Sequence, residues 1–230
     1  MKELLTTSVF MGVALSLIAY ELGLLAKKYF KISIFNPLLI SIILVIAFLC
    51  VTGIDYDTYN EGAKYISYLL TPATVCLAVP LYEQMELLKK HFLAIIAGIL
   101  SGTITSLSCV LIGTVIFKLN HELFVTLLPK SITTAIGMGV SEELGGLVTI
   151  TVAVIIITGV LGNIFAEGIL KLLHINEPVA KGIAIGTSAH AVGTAKAMEL
   201  GDIEGAMSSL SIAVAGLLTV IIAPVFAGLL

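Results

Sequence analysis

Charge is what this sequence has least of. Charged residues make up 12% of the 230-residue chain, against about 25% in a soluble domain. So little polar surface cannot cover a globule in water. Tryptophan is absent, so any interfacial aromatic belt falls to the seven tyrosines, of which Tyr56, Tyr59, Tyr65 and Tyr68 cluster near one boundary. The three cysteines, Cys50, Cys76 and Cys109, lie in apolar runs with no zinc spacing and an odd count that gives no disulfide framework. They read as packing residues. No excess of basic charge exists, the net charge being −3, which sets nucleic acid aside as a partner. There is no glycine-rich loop ending in Gly-Lys-Ser/Thr and no His/Cys/Asp cluster with ligand spacing. Neither a nucleotide, a metal nor another cofactor is therefore expected. Ser131 or Ser188 with a lysine could form a nucleophile pair, but nothing in the spacing assembles one, and no catalytic residue is assigned. The chain reads as no enzyme.

What is present is apolar length. Hydrophobic residues account for 58% and the mean hydropathy is +1.12. With a span needing about 20 apolar residues, the fold class is an all-α polytopic membrane protein of about seven to eight helical segments. Spans are expected at 4–26, 34–52, 92–117, 147–173 and 206–230. The first is too long for a signal sequence and lacks a cleavage signature. Segments 63–81 and 123–140 are apolar but interrupted, the former by Thr71-Pro72 and Pro80, the latter by Pro129-Lys130, Gly137 and Gly139. Residues 53–62 and 82–91 read as loops and 141–146 as a short polar turn. Lys27, Lys28 and Lys31, then Lys89 and Lys90, mark cytoplasmic loops, which puts the acidic loop and the N-terminus outside. The whole chain, 1–230, reads as one transmembrane domain, with 1–60 as scaffold helices and 61–230 as repeat units.

The chain is organised around residues 186–205, GTSAHAVGTAKAMELGDIEG, a polar stretch between spans. Irregular backbone survives in lipid only where protein or a water-filled cavity covers it. Residues 191–201 (AVGTAKAMELG) match 135–145 (AIGMGVSEELG) at five of eleven positions, 56 residues apart. A weaker third copy is suggested upstream, where Pro72 precedes Pro129 by 57 residues. If the interrupted segments are re-entrant the copies are inverted; if they span, the copies are parallel. The inverted arrangement is preferred, because paired broken segments point to a transporter's midplane site.

Lys130 and Lys196 are the sharpest polar residues. A lysine in mid-span costs about 2.5–3.5 kcal/mol and needs water, a counter-charge or a substrate; the alternative is that both snorkel from helix ends. The expected substrate site is Lys130, Ser131, Thr133, Thr134, His190, Thr194 and Lys196, with both lysines converging. Thr71, Pro72, Thr74, Gly137, Gly139 and Gly193 are the expected helix-break or cavity residues. Glu143 and Glu199, at matching repeat positions, and His190 are candidates for coupling; the plainer reading, which is preferred, is that the carboxylates mark the aqueous boundary and the histidine is a packed, hydrogen-bonded residue.

The segments Leu70-Thr71-Pro72-Ala73-Thr74 to Ala78-Val79-Pro80-Leu81-Tyr82, the run LPKSITT at 128–134, and His190 to Lys196 with Glu199, Gly201 and Glu204-Gly205-Ala206 resemble the LrgB/CidB family over essentially the whole chain. Members typically carry proline where Ala135 stands and arginine where Lys196 stands; a lysine keeps the charge but not the rigid fork. The resemblance implies an antiholin-like or holin-like regulator of murein hydrolases and cell lysis, acting with a small LrgA/CidA-type membrane partner. It equally implies export or uptake of short carboxylates such as pyruvate, since a plastid relative looks like a glycolate/glycerate translocator. This chain reads as the LrgB half alone. The expected function is transport of small monocarboxylates, the pyruvate, lactate and glycolate class, coupled to protons or ions. The alternative is a regulatory protein working through its partner without transport of its own. A homodimer or larger assembly, with 4–52 near the interface, in a bacterial plasma membrane completes the expectation.

Overall fold

The computed structural model describes residues 10–30, 36–69, 72, 75–76 and 78–230. The described residues are overwhelmingly helical and divide into two compact units, 1–76 and 77–230.

In the first unit, α1 (Met11–Phe30) and α2 (Pro37–Thr52) are followed by α3 (Tyr56–Ser67). Asn36 caps α2 by accepting from the N–H groups of Leu38 and Leu39, and Pro37 fills the first position, where a missing N–H costs nothing. Gly53, at φ 61°, ends it. The expected loop at 53–62 is corrected: after a short turn the chain is helical from Tyr56. Asp55 accepts from the Thr58 N–H at 2.7 Å and the Thr58 hydroxyl at 2.9 Å, a side-chain cap that starts a helix in a polar stretch. Gly12 admits α3 closely, since a Cβ there would meet the Tyr59 carbonyl and the Ala63 N–H. Ser16 and Tyr59 share a hydrogen bond of 2.7 Å beside it. α3 ends at Ser67, ahead of Pro72, which is exposed. Thr71 and Thr74 lie outside the described residues.

The second unit opens with α4 (Ala78–Glu83) and α5 (Met85–Lys90). The loop expected at 82–91 is thus largely helical. Among the described residues three helices are long and apolar enough to cross a membrane: α6 (Phe92–Phe117), α9 (Val148–Leu172) and α11 (Asp202–Ala227). Between them lie the interrupted segments, α7 (His121–Leu127) with α8 (Thr134–Glu143), and α10 (Pro178–Leu200).

Both interrupted segments fold back on themselves. In the first, the Thr151 hydroxyl reaches the Thr126 carbonyl at 2.9 Å and the Ser141 hydroxyl at 2.7 Å. Residues 126 and 141 would stand about 22 Å apart in one continuous helix; here one side chain touches both. α7 and α8 are therefore the arms of a hairpin with its tip at 128–133. α10 is broken at His190, where φ is 40° and ψ −141°. A Cβ on Gly193 would lie 2.9 Å from Ile185 Cγ2 and 3.4 Å from its carbonyl oxygen, a contact between residues eight apart that only a reversal allows. Its arms run over 178–189 and 191–200.

The second hairpin packs on α11 through small residues. A Cβ on Gly182 would meet the Glu204 carbonyl at 2.5 Å, and one on Gly186 the Ser208 carbonyl at 2.5 Å. This glycine pair, four residues apart, is the spacing that lets membrane helices approach backbone to backbone. On the other arm, Thr194 and Ser208 share a hydrogen bond of 2.7 Å.

Candidate functional site

Each hairpin tip exposes backbone groups that a helix would have paired, and the sequence supplies side chains for them. At His190, a conformation with positive φ that L-residues disfavour, the carbonyl accepts from the Thr194 hydroxyl at 3.0 Å. The Val192 carbonyl accepts from Asn163 Nδ2 on α9 at 2.8 Å. His190 Nε2 lies 2.9 Å from the Ile155 carbonyl, with its ring over Gly159. Four residues on two helices thus hold a strained tip in one conformation.

The first tip and the arm leading to the second border a cavity of about 750 Å³, walled by α6 and the first arm of α10. The α6 wall is a stripe of small side chains, Ala94, Gly98, Gly102, the adjacent Thr105 and Ser106, and Cys109, recurring every three to four residues along one helix face. A Cβ on Gly102 would come within 2.8 Å of Thr187 Oγ1, so the glycine sets how close the walls stand. Lys130 and Ser131, from the first tip, border the cavity together with Thr187 and Ser188, just before the second. Lys130 Nζ donates to Ser131 Oγ at 2.9 Å and to Ser106 Oγ at 3.4 Å, and Ser106 donates to Ser131 at 3.0 Å. Among the described residues no carboxylate pairs with this ammonium. His91 and Glu177, the residues preceding α6 and α10, stand at the other end.

The residues expected to form one site are distributed differently. Lys130 and Ser131 line the cavity; Lys196 does not, and the expected convergence of the two lysines is not what the fold builds. Lys196 lies on the second arm of α10 and pairs with Glu167 on α9 at 3.2 Å and with Glu199 at 3.3 Å. Two carboxylates satisfy it outside the cavity. Thr194 and His190 are buried behind the second tip, holding its backbone. Thr133 precedes α8 and Thr134 begins it, both half-buried and away from the cavity lining. Gly137 and Gly139 lie inside α8, so the interruption is made upstream, around Pro129, rather than by the glycines. Gly193 faces Ile185 within its hairpin. Glu143 and Glu199 are exposed. Sequence reading missed Ser106 and the α6 stripe, although the recurrence of Gly, Ser and Thr from 98 to 106 was a legible sign of close approach.

A helical membrane protein whose two fold-back hairpins border a lysine-bearing cavity is the class this geometry defines. Residues 16–229 match the LrgB-like family. The chain is 38% identical over 222 residues, covering 96% of each sequence, to the antiholin-like protein LrgB of Bacillus cereus strain B4264 and, with the same figures, to that of Bacillus anthracis strain A0248. No solved structure matches. The chain belongs to the LrgB-like family.

Proposed function

We propose that this protein is a carrier for small monocarboxylates of the pyruvate, lactate and glycolate class, coupled to protons or another ion, in the plasma membrane of a bacterium. The observation that carries the reading is the Lys130 ammonium, held by two hydroxyls with no carboxylate partner among the described residues, on a cavity bordered by both hairpins. A carboxylate bound there neutralises a cation that is otherwise costly within a membrane domain, and Ser106 and Ser131 offer hydroxyls to its second oxygen. When the carrier is empty the same cost favours loss of the lysine proton. Substrate and proton would then enter together, which is electroneutral symport.

The repeat supports a transporter architecture. Thr126 lies against Leu147 and Thr151, and Gly182, 56 residues on, against Glu204 and Met207. Ile136 on the first hairpin meets Gly216 on α11, while Val192 on the second meets Gly159 on α9. Such reciprocal exchange is what two units related by a pseudo-twofold axis produce, and one span plus one hairpin per unit inverts successive copies. We further propose a homodimer or larger assembly and an LrgA/CidA-like membrane partner.

The printed name of the relatives favours a second reading, an antiholin-like regulator of murein hydrolases acting through such a partner. Uptake of labelled pyruvate, lactate and glycolate into proteoliposomes, with and without the partner, separates the two. Uptake lost in Lys130→Met supports the carrier; no uptake of any acid in either preparation leaves the regulator.

A further inference from the structure

In the first unit, Glu21 stands at the middle of α1 (Met11–Phe30), within the span expected at 4–26, and its side chain is exposed. One turn to either side lie Leu17, Ile18, Leu24 and Leu25, all exposed and apolar. Ala14 and Lys28, both exposed, extend the row at a spacing of seven, the repeat by which one helix seats another. The opposite side of α1 is occupied by its own unit: a Cβ on Gly12 would meet the Tyr59 carbonyl of α3, and one on Gly23 the Pro37 backbone of α2. Glu21 makes no hydrogen bond or ion pair among the described residues.

Resting on the reading that a membrane partner exists, we infer that this face of α1 seats a helix of that different protein, with a lysine or arginine opposite Glu21. The first reason is the cost of the carboxylate. Ionised side chains within membrane spans are expensive and pair with one another or with water-filled cavities; a carboxylate ringed by exposed leucine and isoleucine has neither in its own unit. Six residues, about 9 Å of helix, separate it from Lys27, which with Lys28 marks the cytoplasmic end. That is too far for a glutamate side chain to snorkel. A guanidinium or ammonium at the same depth supplies a charge-assisted hydrogen bond, which places the partner's cation about 9 Å from the cytoplasmic end of its own span.

The second reason excludes another copy of this chain. Two copies in one membrane share a topology, so a twofold axis relating them runs along the membrane normal and their α1 helices pack parallel. The row then opposes Glu21 to Glu21 and Lys28 to Lys28, and like charges facing each other across a contact disfavour it. The homodimer contact expected near 4–52 therefore falls on another face.

The experiment places the donor-labelled full chain in liposomes with acceptor-labelled synthetic spans, polyleucine helices of about 20 residues carrying Arg, Gln, Glu or Leu about six residues from one end. Energy transfer should report the Arg helix binding about three- to thirtyfold more tightly than the Leu helix, the worth of one polar contact between membrane helices. Glu21→Gln and Glu21→Leu should abolish that preference. Because Glu21 touches nothing in its own unit, neither variant should lower the melting temperature in detergent. Equal binding of all four helices, or a preference that survives in Glu21→Gln, overturns the inference. Loss of energy transfer between donor- and acceptor-labelled copies in Glu21→Leu assigns the face to a second copy and overturns it too. The small membrane partner, co-expressed, should be retained by the wild type and lost from Glu21→Leu. Its retention by both overturns the docking face and leaves the partner standing; retention by neither removes the partner, and the synthetic helices still decide whether the face selects a cation.

Discussion

Gly159 on α9 is the seat of the His190 ring: a Cβ there would lie 2.6 Å from Cε1 and 2.8 Å from Nε2. The same Nε2 is 2.9 Å from the Ile155 carbonyl, one turn earlier on α9. A glycine and a carbonyl on one helix thus fix the tip of a hairpin that belongs to another.

Gly159→Val should therefore displace the tip. Overpacking of this kind costs about 1–3 kcal/mol, enough to lower thermal stability in detergent without preventing folding. Carboxylate uptake should fall more steeply than stability, because Thr187 and Ser188, just before the displaced tip, line the cavity. Wild-type uptake in a folded Gly159→Val protein would show that the tip has no part in transport.

The two lysines should behave oppositely. Lys130→Met removes the cavity's cation and should abolish carboxylate binding; Lys196→Met leaves the cavity lining untouched and should retain it. Under the symport reading, an inward proton gradient accelerates uptake and membrane potential has little effect. Isotherms for both variants across pH 5–8 check this, and equal losses of affinity in the two would place the substrate elsewhere.

Hairpin mobility should be unequal. Lys196 ties the second arm of α10 to α9 through Glu167, whose side chain is 39% exposed, while Glu199 lies on the same arm; such a pair is worth about 0–1 kcal/mol. Val140, which matches Lys196 on the first hairpin, sits instead with Ala223 of α11 in a buried apolar cluster that includes Leu107, Phe124 and Leu128. Hydrogen exchange over 191–200 should exceed that over 134–143, and Glu167→Gln should raise the former alone. Faster exchange in α8 would reverse the assignment of the looser hairpin.

Acid should loosen α3. Hydrogen bonds from the Thr58 N–H and hydroxyl hold the Asp55 carboxyl below its ordinary value. A depressed carboxyl stabilises the fold above its unfolded pKa of about 3.9, and that contribution disappears as pH falls through the lower folded value. Exchange at 56–60 should rise on acidification in the wild type. Asp55→Asn, which keeps a neutral cap, should flatten the dependence, and an unchanged acid limb in that variant would assign it to another group.

Much of this was legible one-dimensionally. Membrane residence follows from charge scarcity alone, because no globule with so little polar surface is soluble. The three long spans follow from apolar length, and 92–117 coincides with α6 (Phe92–Phe117) to the residue. The interruption near Pro129-Lys130 and the special character of 186–205 were visible as polar groups that lipid does not tolerate. The helix at Tyr56 was hidden because its polar composition resembles a loop, although Asp55 and Thr58 carry a capping signal.

Tertiary structure alone decided which lysine faces a cavity. Lys130 and Lys196 are alike in sequence, both charged within interrupted segments. Their fates separate because Glu167, on α9, lies beside one of them after the second hairpin folds back, while Ser106, on α6, lies beside the other. Reversal at His190 was equally out of reach, since the polarity of TSAHAV does not specify a direction; it depends on Gly159, Asn163 and Ile155 being 35 residues or fewer upstream and adjacent in space. Hydropathy is a property of each residue and survives in the linear chain. The charge state a buried cation must satisfy depends on its neighbours, and those exist only once the helices have packed.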